Sequence, residues 1–162
     1  KEEVTWLNNS SFYNKANVVI LSGSPGSGRT SLAISLSTSR KYRVYNQVFD
    51  KIIISIPIST LASITDNPFK SLNPEQIFDK FDEDFLDYVL ESCEATFLLG
   101  HDTCILIDDA ANSLKSSKRV IGRLSNIIAK HRHLRCAFIV CVQDLIMLPL
   151  TVRECASLII MF

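Results

Sequence analysis

Short, nearly continuous apolar runs alternate along the chain with longer stretches in which apolar residues recur every three or four positions. That pattern belongs to parallel strands joined by amphipathic helices. Five strands are expected: residues 17–22 around Val18-Val19-Ile20-Leu21, 51–56 around Ile52-Ile53-Ile54 and closed by Pro57, 103–107, 136–142 and 157–162. A helix is expected at about 28–40, with Leu32, Ile34 and Leu36 available to pack on the sheet. Residues 59–73, rich in Ser, Thr, Asn and Pro, read as an irregular excursion. Asn73-Pro74 is a helix-start signal, because Asn caps and Pro is pre-set for the first helical position, so helix is expected from there to about residue 99. Residues 116–133 read as another helix, with Val120, Ile121, Leu124, Ile127 and Ile128 on one face, and a short turn is expected after Pro149. Crossovers of this length predict a three-layer α/β/α sandwich on a mainly parallel five-stranded sheet.

Length adds that 162 residues, 47% of them hydrophobic, suit a single domain with a substantial core. That domain is expected over 17–162, with 1–16 as an N-terminal extension whose Trp6, Phe12 and Tyr13 read as docking or packing residues. The chain opens on Lys1 and closes in an apolar run at Phe162, so further elements are expected beyond both ends. Lys1-Glu2-Glu3 does not begin a signal peptide, and no run reaches the roughly 18 to 20 apolar residues of a membrane span. Five cysteines form no CxxC pair and sit mostly in apolar runs, which points to buried free thiols in a reducing, intracellular compartment. His101, His131 and His133 have no ligand-spaced partners.

The net charge of zero hides an uneven distribution. Glu75, Asp79, Asp82, Glu83, Asp84, Asp87, Glu91 and Glu94 face one base, Lys80, whereas Lys115, Lys118, Arg119, Arg123, Lys130, Arg132 and Arg135 occur with no acid among them. Each run reads either as a solvated helix face or as a surface facing polyphosphate or another subunit.

The chemistry-bearing segment is Gly23-Ser24-Pro25-Gly26-Ser27-Gly28-Arg29-Thr30, followed by Ser31. It has the GxxxxG spacing followed by a base and a hydroxyl, after a strand and before a helix. Glycines there let successive amide N–H groups turn inward onto phosphate oxygens, and the helix N-terminus adds partial positive charge. Thr30 is placed to reach Mg²⁺ through its hydroxyl. One position departs from the usual pattern: Arg29 stands where Lys is customary, a larger planar group at a tight site. It retains bidentate phosphate binding and puts the turnover rate in question.

Cys104-Ile105-Leu106-Ile107-Asp108-Asp109 is an apolar strand ending in two acids, the form of a Walker B motif. Asp108 would hold Mg²⁺ as a hard oxygen ligand, and Asp109 would be the base that orients water. Gln143, ending the next apolar strand, would reach the same sheet edge, where an amide senses the γ-phosphate or holds the water. It reads equally as a polar residue capping a strand.

These residues resemble the FtsK/HerA superfamily of ring-forming DNA-pumping ATPases, above all the genome-packaging ATPases of poxviruses and other large DNA viruses. The resemblance runs through the P-loop strand, Ile52-Ile53-Ile54-Ser55-Ile56-Pro57, Ile107-Asp108-Asp109-Ala110, Arg132-His133, Gln143 and Leu148-Pro149-Leu150-Thr151-Val152-Arg153. It implies ATP with Mg²⁺, the strand order 5-1-4-3-2, Gln143 as a sensor, and Arg132 or Arg153 as the residue that completes a neighbouring subunit's site. It further implies a head-to-tail homo-oligomeric ring, double-stranded DNA gripped without sequence preference, contact with capsid proteins, and residence in the cytoplasm of an infected cell or in the virion. Opposite charge runs on adjacent subunits would suit such a ring. Two other readings compete: a small-molecule P-loop kinase, against which Asp108-Asp109 and Gln143 speak, and a non-catalytic nucleotide-binding subunit marked by Arg29.

Overall fold

The computed structural model describes residues 16–38, 49–65 and 67–162. The extension with Trp6, Phe12 and Tyr13, and the end of the helix expected at 28–40, lie outside the described residues. Strands β1 (Val18–Ser22), β2 (Lys51–Ser55), β3 (Ile77–Phe78), β4 (Thr103–Ile107), β5 (Cys136–Val142) and β6 (Leu158–Met161) form one sheet in the order β3-β2-β4-β5-β1-β6. Every pairing is parallel. The expected order of five strands is therefore present, extended at one edge by a sixth.

That sixth strand corrects the reading of 73–99 as continuous helix. Asn73 does cap, in a reciprocal capping box with Gln76, but what it caps is one 3-10 turn, Pro74–Gln76. Gln76 then donates through Nε2 to the Ile52 carbonyl at 2.7 Å, and Ile56 N–H donates to the Phe78 carbonyl at 3.0 Å. These bonds draw Ile77 and Phe78 onto the sheet edge. Helix α3 (Glu83–Leu98) begins only after Asp82, whose carboxylate accepts from Phe85 N–H at 3.0 Å. A second, local cap thus outcompetes continuation of the first turn.

Other boundaries shift for similar reasons. The stretch 59–73 contains a short helix, α2 (Ile58–Ser63), and a 3-10 turn, Pro68–Ser71, that buries Phe69. The helix expected at 116–133 is α5 (Lys118–Ala129), which starts where Ser117, in an extended conformation, caps it by accepting from Val120 N–H; an unexpected short helix, α4 (Ala111–Ser116), precedes it. After Pro149 the chain forms helix α6 (Leu150–Glu154) rather than a bare turn.

Two apolar layers enclose the sheet, and the period-2 alternation of each strand feeds both. Val18, Ile20, Ile53, Ile105, Ile107, Phe138, Val140 and Val142 face α3, α5 and α6. Val19, Leu21, Ile54, Leu106, Ile139 and Cys141 face the other side, with Ala33 and Leu36 of α1 (Arg29–Thr38) and with Phe69. Cys93, Cys104, Cys136 and Cys141 are buried free thiols. Arg123 of α5 pairs with Asp87 and lies 3.8 Å from Glu83 of α3. Part of the acidic and basic complementarity is therefore satisfied within one subunit, by two exposed partners of small energetic weight.

Candidate nucleotide-binding site

The strand ends create the site. Ser22, Val142 and Met161 lie level at the carboxyl edge of the sheet, and Ser55 and Ile107 end two residues short of them, level with Val140; this is the edge at which ligands bind in open parallel sheets. From β1 the chain enters residues 23–28, held by Gly23 N–H donating to the Val142 carbonyl at 3.2 Å and Ser27 N–H donating to the Ser24 carbonyl at 3.2 Å. Gly26 and Gly28 have φ of 79° and 98°, which side chains with a Cβ rarely adopt. At Gly23 the constraint is contact instead: a Cβ would lie 2.8 Å from the Phe162 Cβ and 2.9 Å from the Ser27 hydroxyl. Helix α1 opens immediately, at Arg29, so the first amides of a ten-residue helix face the loop.

Thr30, on the first turn of α1, donates its hydroxyl to Asp108 Oδ2 at 2.9 Å. Asp108 is fixed from the other side by its own N–H, which donates to the Ser55 carbonyl at 2.8 Å. Burial pushes the Asp108 carboxyl above its ordinary pKa, with the Asp109 charge adding to the effect; the Thr30 bond and the Arg29 charge oppose it. Asp109 is exposed, in the left-handed region at φ 55°. A non-glycine residue there costs about 1–3 kcal/mol, and such positions cluster at functional sites. Gln143 is exposed one residue beyond the Val142 carbonyl that Gly23 holds.

Thr30, Asp108, Asp109, Gln143 and the glycine loop are thus gathered at one edge. The arginines are not. Arg132 is exposed on the turn leading into β5, at the opposite end of the strands, and its guanidinium makes no hydrogen bond or ion pair with a described residue. Arg153 lies half-buried on α6, its Nε shielded and without a partner among the described residues. Two further neighbours escaped the sequence reading. Cys141 comes close enough to Asp108 and Arg29 for the carboxylate to join burial in raising its thiol pKa; strand alternation, which puts residues 139 and 141 on the α1 face, was the available signal. Phe162 closes over Gly23, and nothing in the motif indicates it.

A magnesium nucleotide fits this donor set. A hydroxyl and a buried carboxylate converge as hard oxygen ligands, the loop has room only for backbone at Gly23, and the Ser27 hydroxyl is buried without a hydrogen-bond partner among the described residues. No group of three His, Cys, Asp or Glu side chains among the described residues is arranged to hold a metal.

Solved structures share this architecture. The DNA-packaging ATPase B204 of Sulfolobus turreted icosahedral virus is 20% identical, with a TM-score of 0.60 over 92% of this chain and 76% of its own. B204 of Sulfolobus turreted icosahedral virus 2, in complex with ATP-γS, is 21% identical, with a TM-score of 0.64 over the same shares. The chain has the P-loop NTPase fold. The cytoplasmic domain of the Thermomonospora curvata type VII secretion ATPase EccC, 11% identical, gives a TM-score of 0.66 over 93% of this chain but 20% of its own. No protein-family profile and no curated protein matches the sequence. The likenesses are of fold. No helix among the described residues is long and apolar enough to cross a membrane.

Proposed function

We propose that this P-loop chain is an ATP-hydrolysing motor subunit of the FtsK/HerA type, with residues 17–162 as its ATPase domain, that drives double-stranded DNA into a viral capsid. The observation that carries the reading is the Thr30–Asp108 hydrogen bond at 2.9 Å, with Asp109 and Gln143 on the same sheet edge. It joins the two motifs that hold phosphate and magnesium, and it leaves a second acid and an amide free for water. In this role residues 23–31 cradle the phosphates, Arg29 contacts them, and Thr30 and Asp108 hold Mg²⁺, which would supply charge neutralisation of the phosphate oxygens. Asp109 orients the attacking water and Gln143 reports the γ-phosphate. Water as acceptor favours hydrolysis over a small-molecule kinase.

Arg132 and Arg153 lie away from the site of their own chain, so an arginine finger would come from a neighbour in a head-to-tail ring. Of the two, Arg132 is preferred, because it is exposed and uncommitted. DNA would be held through its phosphates without sequence preference, with capsid proteins as further partners in the infected cell or virion. The test is ATP turnover with Mg²⁺, with and without double-stranded DNA of two unrelated sequences. Turnover stimulated equally by both, falling with salt and lost in Asp109→Asn, is expected. Nucleotide binding with no turnover, restored by Arg29→Lys, would replace the motor by a nucleotide-binding subunit that no longer hydrolyses.

A further inference from the structure

The turn that carries Arg132 is held by more bonds than a surface connection needs. Between α5 and β5, Lys130 N–H donates to the Ile127 carbonyl at 3.0 Å, His131 N–H to Ile128 at 3.1 Å, Leu134 N–H to Lys130 at 3.0 Å and Arg135 N–H to Arg132 at 3.3 Å. Arg135 closes this series with φ 52°, a conformation that Gly or Asn reaches more easily. The side-chain bonds of Arg135 offset that backbone cost. That side chain chelates Asp102: Nε donates to Oδ1 at 2.9 Å and Nη2 to Oδ2 at 3.1 Å. Asp102 is 3% exposed at the side chain and is itself pinned at the amino edge of the sheet. Its N–H donates to Asp50 Oδ2 at 2.8 Å, Asp50 N–H returns to the Asp102 carbonyl at 2.9 Å, and Thr103 N–H donates to the Arg135 carbonyl at 3.2 Å. The guanidinium thereby ties the start of β5 to that of β4, and the bonds between Asp102 and Asp50 carry the tie on to the start of β2.

We propose that the Arg135–Asp102 pair is a positioning device that holds residues 130–135 so that Arg132 projects at a fixed place and completes the nucleotide site of an adjacent copy. This rests on the reading of Arg132 as the arginine supplied between subunits. A group that must meet a transferring phosphoryl oxygen cannot wander, since a misplacement of about 1 Å costs about 10²-fold in rate. A lone flexible side chain on an exposed turn gains that precision only from the turn beneath it. Lysine at position 135 would keep the charge but cannot bind both carboxylate oxygens in one plane. The pair therefore acts on the neighbour's site and leaves its own subunit's nucleotide pocket, at the other end of the strands, intact.

The experiment uses the full chain with Arg135→Lys, Asp102→Asn, Arg132→Ala and Asp109→Asn, each alone and each of the first three mixed in equal amounts with Asp109→Asn. Turnover, ATP affinity and thermal melting are measured for all. Arg135→Lys is expected to lose about 10²-fold in turnover with unchanged ATP affinity and cooperative melting. Mixing with Asp109→Asn is expected to restore about a quarter of wild-type turnover, because a random head-to-tail ring sets an intact site beside an intact arginine at one position in four. Asp102→Asn is expected to behave in the same way. If Arg132→Ala is not restored by mixing, the finger reading fails and the positioning role with it. If Arg132→Ala is restored but Arg135→Lys and Asp102→Asn are not, are fully active alone, or both unfold, the pair is a stability element and the positioning role is overturned while the finger reading stands.

Discussion

The Thr30 hydroxyl donates to the Asp108 carboxylate at 2.9 Å across 78 positions of sequence. The two side chains satisfy one another, and both oxygens are hard donors of the kind a divalent cation takes. The bond also lessens the cost of an acid that burial disfavours. Thr30→Val and Asp108→Asn are each expected to lower Mg²⁺-dependent ATP turnover by about 10²-fold or more, the scale on which removal of a metal-site oxygen acts. Their stabilities differ in sign. The folded-state pKa of Asp108 lies above the ordinary 3.8, so its contribution to stability falls as pH rises through that interval. Nucleotide-free Asp108→Asn should therefore melt no lower than wild type at pH 7, while gaining less from Mg²⁺ and ATP. Thermal melting with and without the nucleotide checks both.

Asp109 and Gln143 are both exposed at the carboxyl edge and are assigned to water and γ-phosphate rather than to the metal. Asp109→Asn should lower turnover by about 10²- to 10⁴-fold, the usual contribution of a positioned base, with ATP affinity retained. Gln143→Ala should weaken turnover and DNA stimulation together. Equilibrium binding of a fluorescent ATP analogue beside steady-state turnover separates these effects; an Asp109→Asn protein that hydrolyses normally would remove Asp109 from the mechanism.

The central strands were legible because parallel strands buried on both faces must be apolar throughout: residues 103–107 and 136–142 carry their own boundaries. The placement of the glycine loop and of Asp108 was legible because the strand and helix that flank the loop, and the strand that ends at Asp108, fix where the two meet. What the sequence concealed was decided by competition between local signals. Asn73-Pro74 starts a turn that could have grown into helix, and the bonds from Gln76 and Ile56 to the neighbouring strand and connection settle it otherwise. Ser117 delays the start of the basic helix to Lys118 because it takes an extended conformation and serves as its cap. Neither Phe162 over Gly23 nor Arg135 on Asp102 has a one-dimensional signature, since both depend on which strand ends the fold brings level.

Gly23 tests how closely the site is packed. Its missing Cβ is the only reason the Phe162 Cβ and the Ser27 hydroxyl can approach. Gly23→Ala must displace β6 or the loop, a small-to-large change of a kind that typically costs about 1–3 kcal/mol. A lower melting temperature and at least tenfold weaker ATP binding are expected, on the basis that about 1.4 kcal/mol is a factor of ten in affinity. Unchanged binding would show that the closing strand moves freely and takes no part in shaping the phosphate loop.

His131 supplies a pH test at the other end of the strands. It is buried on the turn before β5, and its ring Nδ1 lies 2.6 Å from the Ile128 carbonyl, which fixes Nδ1 as the protonated nitrogen of the neutral ring. Burial lowers its pKa below the ordinary 6.5; the backbone of Ile128 and of Ala16 opposes the shift, and the adjacent Arg132 charge reinforces it. The folded state therefore takes up a proton less readily than the unfolded chain. Stability from this residue is fully present above 6.5 and is lost as pH falls through 6.5 toward the folded-state value. Melting curves between pH 8 and pH 5 should show wild type losing more stability on acidification than His131→Gln, with the two running parallel at the alkaline end. The turn's backbone bonds do not require the ring, since Ile128 is also the acceptor for His131 N–H, so the variant should retain the turn. Equal losses for the two proteins would mean that the ring takes up its proton without leaving the fold, and that the carbonyl contact outweighs both burial and Arg132.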